Sequence, residues 1–372
     1  MWEQAGSQTK YCYRLLYVGF VLFVYYYILL QFLNFFLLDK LILLYYYSKS
    51  RRINVSLLFE QFSVADYYNN TSDAILLEGD TLDLIKKLPI NEFKLIISSP
   101  PYNIGKVYEK EISLDEYLEW QKNIIIELYR ICHNNGSIVW QVGNYVDKGE
   151  IFPLDIYFYP IFKKIGLKLR NRIIWHFGHG LHASKRFSGR YEVLLWFTKS
   201  DEYTFNLDNV RIPSKYPGKR NYKGNNIGKP SGNPLGKNPS DFWELITEEW
   251  ENGIIDIPNV KSNHPEKTEH PCSFPIELIE RCVLAFTNEK DIILYPFGGV
   301  GSALIASLKQ KRRGVTIDKE KKYLEITKER ILKLEDGSLK IRKIGTPIFV
   351  PTGKEKVSQI PIEWINNQEI AL

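Results

Sequence analysis

Two short stretches of this sequence gather residue types that can do chemistry. In "LIISSPPYNIGK" a strongly apolar run ends on Ser99, Pro100, Pro101 and Tyr102. Proline has no N–H to give to a sheet ladder, so two in succession end strand pairing at the carboxyl edge of a sheet, where α/β folds place their ligands. The Pro100 carbonyl precedes another proline and is not consumed by a regular turn, so it is available as a hydrogen-bond acceptor. Ser99 adds a hydroxyl acceptor and Tyr102 a flat aromatic face. An acceptor pair beside a stacking platform suits an exocyclic amino group on a nucleobase. The same residues would also make an ordinary strand-ending turn.

The second stretch is "ILYPFGGVGSALIASL". An apolar strand over 291–297, ending in Tyr295, Pro296 and Phe297, runs into Gly298, Gly299 and Gly301, and a helix opens at Ser302. Glycines between a strand and a helix let the backbone turn tightly and bring main-chain N–H groups toward a ligand near the helix N-terminus. The following strand ends in Asp318, and in Rossmann-like folds an acid there commonly holds ribose hydroxyls. This combination points to a nucleoside-containing cofactor.

The elements that must position these stretches read as an α/β domain with a largely parallel sheet. Apolar runs at 94–99, 137–143, 172–177, 192–198, 291–297 and 312–318 predict six buried strands. Ser113 and Glu116 form a capping-box pattern, and Leu114, Tyr117, Leu118, Ile125, Leu128 and Ile131 recur at helical spacing, with Asn134, Asn135 and Gly136 predicted to stop that helix. Residues 212–240 interrupt the pattern with six lysines and arginines, no acid, and abundant Gly, Pro and Asn. Lys215, Lys219, Arg220 and Lys223 there interleave with Tyr216 and Tyr222, which suits phosphate neutralisation and base stacking; a solvated linker has the same composition. A second basic turn, "GHGLHASKRF", carries Lys185 and Arg186 and reads either as a DNA contact or as a solvated loop. Trp175 and His176, just before it, would serve as a pocket wall or as core packing.

The 372 residues carry a formal charge of +6, which permits an anionic partner without requiring one. Cys12, Cys132, Cys272 and Cys282 are far apart with no CxxC pair, arguing against a zinc site or disulfide framework and for a reducing, cytoplasmic setting. The histidines have no partners at metal-ligand spacing, so no metal is expected. The N-terminal 52 residues depart from this picture: residues 15–38 are uncharged and apolar, long enough to span a bilayer, yet rich in tyrosine at mid-span. An upstream in-frame translation, a membrane anchor and a packed helix all remain open for this segment.

Ser99-Pro100-Pro101-Tyr102 resembles the catalytic motif of amino-group DNA methyltransferases, and Pro296-Phe297-Gly298-Gly299-Val300-Gly301-Ser302 resembles their S-adenosylmethionine loop. The catalytic motif precedes the loop, as in the permuted β group. "EKTEHPCSFPIELIERCVLAFTNE" is similar to that group's additional cofactor motif at His270, Pro271, Phe274 and Pro275, and Asp80 in "LLEGDTLDLIKKLP" matches the acid on a strand flanking the target-base pocket. The resemblance covers roughly residues 73–336. It implies a Rossmann-like methyltransferase sheet with helices on both faces, S-adenosylmethionine as cofactor, double-stranded DNA as partner, and a separate restriction endonuclease as a possible companion. It further implies a catalytic half over 73–200, a target-recognition insertion over 201–263, a cofactor-binding half over 264–336 and a tail over 337–372. The serine-type motif leans toward cytosine N4, with adenine N6 as the alternative. One position departs from the pattern: Tyr295 replaces the usual aspartate, which would contact the cofactor's charged amino acid portion. That leaves open a DNA-binding protein with a decayed cofactor site. The Pro271-Cys272 pair resembles a carbon-5 cytosine nucleophile, but it precedes the glycine loop instead of following it, so Cys272→Ser should leave activity intact.

Overall fold

The computed structural model describes residues 61–103, 112–177, 182–214, 216, 218–243, 260, 264–268 and 275–342. The apolar stretch 15–38 and the candidate residues Lys215, His270, Pro271, Cys272 and Phe274 lie outside them. Among the described residues no helix is long and apolar enough to cross a membrane.

In chain order the strands are β1 (Val64–Ala65), β2 (Ala74–Glu78), β3 (Phe93–Ser98), β4 (Cys132–Val142), β5 (Asn144–Asp147), β6 (Glu150–Pro153), β7 (Lys168–His176), β8 (Tyr191–Thr198), β9 (Phe242–Trp243), β10 (Ile292–Tyr295) and β11 (Arg313–Asp318). The helices are α1 (Thr81–Ile85), α2 (Leu114–Ile131), α3 (Leu154–Ile165), α4 (Ile276–Phe286), α5 (Ser302–Lys309) and α6 (Lys321–Glu335). One sheet runs β1-β2-β11-β10-β3-β4-β8-β7-β9, and β5 and β6 form a separate hairpin. Pairing is parallel from β1 through β4 and antiparallel at β4/β8 and β8/β7, so the sheet is mostly parallel, as the apolar runs predict. All six predicted strands are present.

The two-residue alternation of β10 divides the core. Ile293 and Tyr295 join one apolar cluster with α4, α5 and α6, whereas Ile292 and Leu294 join another with α1, α2 and α3. Helices therefore cover both faces. At the centre Ile293 and Leu294 of β10 pair with Leu95 and Ile96 of β3. Chain order reverses between these two parallel strands, a topological switch point, so the glycine loop and the Ser-Pro-Pro-Tyr turn leave neighbouring strand ends at the same edge.

The structure revises the sequence expectations in two places and adds a strand, β2, that the apolar runs did not indicate. Helix α2 has the predicted Ser113/Glu116 capping box, but it ends at Ile131 and β4 starts at once, with Asn134 to Gly136 inside the strand. A Cβ at Gly136 would lie 2.9 Å from the Phe93 carbonyl, so the glycine permits close approach to β3 rather than ending a helix. The segment "AILLE" forms β2, a strand too short for its periodicity to be distinguished from a helix turn. The basic insertion is partly rooted in the core. Val210, Ile212 and Trp243 are buried, β9 pairs with β7, and bridges Ile212↔Lys237 and Arg220↔Pro230 hold the rest as an antiparallel arm.

Candidate functional site

At the end of β3 the strand register leaves Ser99 half-buried and Pro100 buried. The Pro101 carbonyl accepts a 2.7 Å bond from the Tyr117 hydroxyl of α2. Among the described residues no donor reaches the Pro100 carbonyl. Ser99 Oγ donates to Tyr102 Oη at 2.9 Å, and Tyr102 Oη donates to Gln141 Oε1 at 2.7 Å. Gln141 Nε2 in turn donates to the Glu192 carboxylate. Burial, reinforced by the Glu192 charge, holds the Tyr102 phenol well above the ordinary tyrosine range, so the proton of that chain stays in place. Because Ser99 has spent its one proton on Tyr102, its outward lone pairs can only accept. Asn103 follows at φ 58°, and its side-chain amide bonds the Ile112 backbone in both directions at 2.6 and 2.9 Å, which ties the end of the turn to the start of the segment leading into α2.

The glycine loop is held from four sides. Gly298 N donates to the Ile317 carbonyl at 2.8 Å and Gly299 N to Asp318 Oδ2 at 2.8 Å. The Thr81 hydroxyl donates to the Pro296 carbonyl at 2.7 Å. Arg330 of α6 donates through Nη1 to the Val300 carbonyl at 2.5 Å and to Ser302 Oγ at 3.0 Å. Burial lowers the Arg330 guanidinium to about 10, still a cation at neutral pH. A Cβ at Gly298 would lie 1.7 Å from Thr316 Oγ1, and Gly301 sits at φ +72° with Thr327 2.4 Å from a would-be Cβ, so both positions require glycine. Phe297 crosses to the opposite face of the sheet, where its ring packs on Trp120 and Trp140 at centroid distances of 5.9 and 6.5 Å.

Several residues singled out in the sequence are placed differently from expectation. Tyr295 is 1% exposed and turns its hydroxyl to Ser307 of α5, inside the core, because its strand parity points to the face covered by α4, α5 and α6. Its side chain packs in the core. Ser302 Oγ is buried and accepts from Arg330 Nη1. Asp80 caps α1 by accepting from Leu82 N at 2.8 Å and Asp83 N at 3.2 Å, and the strand order leaves β11 and β10 between it and the Ser99 turn. It flanks the glycine loop, not the proline turn. Asp318 keeps a place at the loop, but both its oxygens are engaged, Oδ1 by Glu320 N and Oδ2 by Gly299 N; burial raises its carboxyl while these bonds oppose the rise. Pro275 precedes α4 as its N-cap.

The basic residues divide similarly. Lys185 and Arg186 are exposed in a turn closed by the 3.1 Å bond from Ala183 N to Ser188 Oγ, and Phe187 beside them is 100% exposed. The turn follows β7, which runs parallel to β4, so it leaves the sheet at the same edge as the two motifs. Lys219 and Lys223 are exposed on the arm, whereas Arg220 Nη1 is bonded to the Gly228 carbonyl at 2.6 Å and helps to hold the arm together.

Residues 93–329 match the family model N6_N4_Mtase, described as DNA methylase. The Type II methyltransferase M.BglII of Bacillus subtilis is 45% identical over 252 residues, covering 68% of this chain and 67% of that protein. The chain belongs to the N6/N4 DNA methylase family. The Type II methyltransferase M.ScaI of Streptomyces caespitosus is 36% identical over 271 residues, covering 71% and 83%. The solved structure of PvuII DNA methyltransferase (cytosine-N4-specific) superposes with a TM-score of 0.55 at 17% identity, covering 76% of this chain and 96% of that one, and supports the fold. As a member of this family the chain is a DNA amino-methyltransferase that uses S-adenosylmethionine. The residues present suit that cofactor. A glycine loop that tolerates no Cβ at two positions borders the acceptor turn, and Asp318 at its rim retains carboxylate lone pairs for hydroxyl groups.

Four residues that hold the two stretches in place escaped the sequence reading: Gln141, Glu192, Asn103 and Arg330. Asn103 directly follows the Ser-Pro-Pro-Tyr turn, and the other three lie outside both stretches. Gln141 and Glu192 occupy β4 and β8, and only strand pairing brings them together behind Tyr102.

Proposed function

We propose that Ser99 Oγ and the Pro100 carbonyl form a two-acceptor clamp for the exocyclic amino group of a base flipped out of duplex DNA, with cytosine N4 as the target. The observation that carries this reading is the direction of the Ser99 hydroxyl: it donates inward to Tyr102, beside a Pro100 carbonyl that no donor reaches among the described residues, and so presents acceptors outward. An exocyclic amine is a poor nucleophile because its lone pair is delocalised into the ring. Accepting both of its N–H groups draws the nitrogen toward a tetrahedral form and frees that pair. S-adenosylmethionine supplies an electrophilic sulfonium methyl. The glycine loop from Gly298 to Gly301 and Asp318 would hold the cofactor's nucleoside and amino acid portions, and the adjacency of β3 and β10 brings the donor site to the clamp.

The half-exposed Tyr102 ring would stack on the flipped base. Lys185, Arg186, Lys219 and Lys223 would neutralise phosphates, with Phe187 and Tyr222 free to pack on exposed bases. Cytosine is favoured because the motif begins with serine; adenine N6 is the alternative product. The partition into a catalytic half, a recognition insertion and a cofactor half belongs to the same proposal, as does a cognate endonuclease encoded on a separate chain.

The decisive experiment incubates duplex DNA with the full chain and isotopically labelled S-adenosylmethionine, digests the DNA to nucleosides and identifies the labelled product by mass spectrometry. N4-methyl-2′-deoxycytidine is the expected product. N6-methyl-2′-deoxyadenosine would reassign the base, and no labelled nucleoside would reject the reading.

A further inference from the structure

We infer that Glu192 is a positioning residue that sets the hydrogen-bond polarity of the amine clamp, acting on Ser99 through Gln141 and Tyr102. The inference rests on the clamp reading given above and extends it to residues that touch neither base nor cofactor.

The polarity follows from counting protons along the chain. An ionised carboxylate can only accept, so the Gln141 group facing Glu192 must be its NH2. That turns the Gln141 carbonyl toward Tyr102, whose single hydroxyl proton goes to it at 2.7 Å. Tyr102 oxygen can then only accept from Ser99, at 2.9 Å. Each of the three bonds has one permitted direction, and the last leaves Ser99 with no proton to point outward. A direct approach of Tyr102 Oη to Glu192 Oε2 at 3.5 Å biases the phenolic proton in the same sense.

Without the carboxylate the chain loses its anchor. An amide at 192 can present either C=O or NH2, so Gln141 can rotate to face Tyr102 with its NH2. Tyr102 would then donate to Ser99, and the Ser99 proton would point at the incoming amine. Two donors would meet where the reaction needs an acceptor. The surroundings favour a fixed chain: Gln141 is 1% exposed, and a Cβ at Gly143 would lie a tight 3.3 Å from Tyr102 Cε2, so the backbone of β4 packs closely on the phenol ring. Bonds in such a partly buried chain also polarise one another, which makes Ser99 oxygen a better acceptor.

The test is a pair of variants in the full chain. Glu192→Gln should lower kcat roughly 10- to 100-fold, while the KM for S-adenosylmethionine and the Kd for DNA stay within about 2-fold. The double variant Gln141→Glu with Glu192→Gln exchanges the two groups at unchanged composition and net charge. It again offers Tyr102 an acceptor-only carboxylate, fed by an amide from 192, and should recover kcat to within about 3-fold of the unmodified protein. Wild-type kcat in Glu192→Gln, or a folded double variant no faster than the single one, would overturn the inference. Should the single variant not fold, the double variant alone decides: high kcat supports the polarity role and low kcat rejects it. If Ser99→Ala leaves activity unchanged, the clamp itself fails; an active, Ser99-dependent enzyme indifferent to residue 192 loses only this inference.

Discussion

Tyr295 and Ser307, twelve residues apart, share a buried hydroxyl–hydroxyl bond that joins the end of β10 to the interior of α5. The family's usual aspartate is therefore replaced by a residue whose side chain belongs to the core. Tyr295→Phe should cost about 1–2 kcal/mol of stability by leaving Ser307 unpaired, and should change S-adenosylmethionine affinity by less than about 2-fold. Denaturant melts and calorimetric titration check this. A large loss of affinity in a stable Phe variant would return Tyr295 to the cofactor site.

Ser99→Ala removes one of the two clamp acceptors. Methyl transfer should drop by roughly 10²- to 10³-fold, and cofactor binding should persist because the glycine loop is untouched. Single-turnover assays beside equilibrium binding separate the two effects.

Arg330 holds Val300 and Ser302 from beneath the loop and feels the charge of buried Glu266. Arg330→Met should cost about 3 kcal/mol and weaken S-adenosylmethionine roughly 10-fold. Thermal melts with and without cofactor measure both.

His264 is 4% exposed and accepts from Glu266 N at 3.1 Å; burial, aided by the Arg342 charge, lowers its imidazole from 6.5 to about 4. The unfolded chain then binds the proton first. The contribution of this group is complete above about pH 6.5 and is lost as pH falls toward 4, about 3 kcal/mol in all. Glu266, whose carboxyl is raised by burial, titrates with the opposite sign, so the comparison must be differential. Stability against pH for the unmodified protein and for His264→Asn should diverge in slope between pH 6.5 and 4.

Lys219→Gln with Lys223→Gln should weaken DNA binding and reduce the slope of log K against log salt by about 2. Arg220 is left in place because it holds the arm. A slope that does not change would place the arm away from the phosphates.

The sequence by itself determined six of the strands, the capped helix, the acceptor turn and the glycine loop, because each depends on local rules: apolar runs, proline's missing N–H, glycine's freedom and a serine three residues before a glutamate. It also carried the family, through motifs in a fixed order. Only the tertiary structure decided which way side chains face and which distant ones meet. The parity of β10 sends Tyr295 into the core, and Asp80 caps a helix beyond two intervening strands. Gln141 and Glu192 become partners through the antiparallel pairing of β4 with β8, fifty-one residues apart. A hydrogen bond's direction depends on every proton along its chain. Thus the acceptor character of Ser99, suggested by its motif, is fixed by a glutamate on another strand.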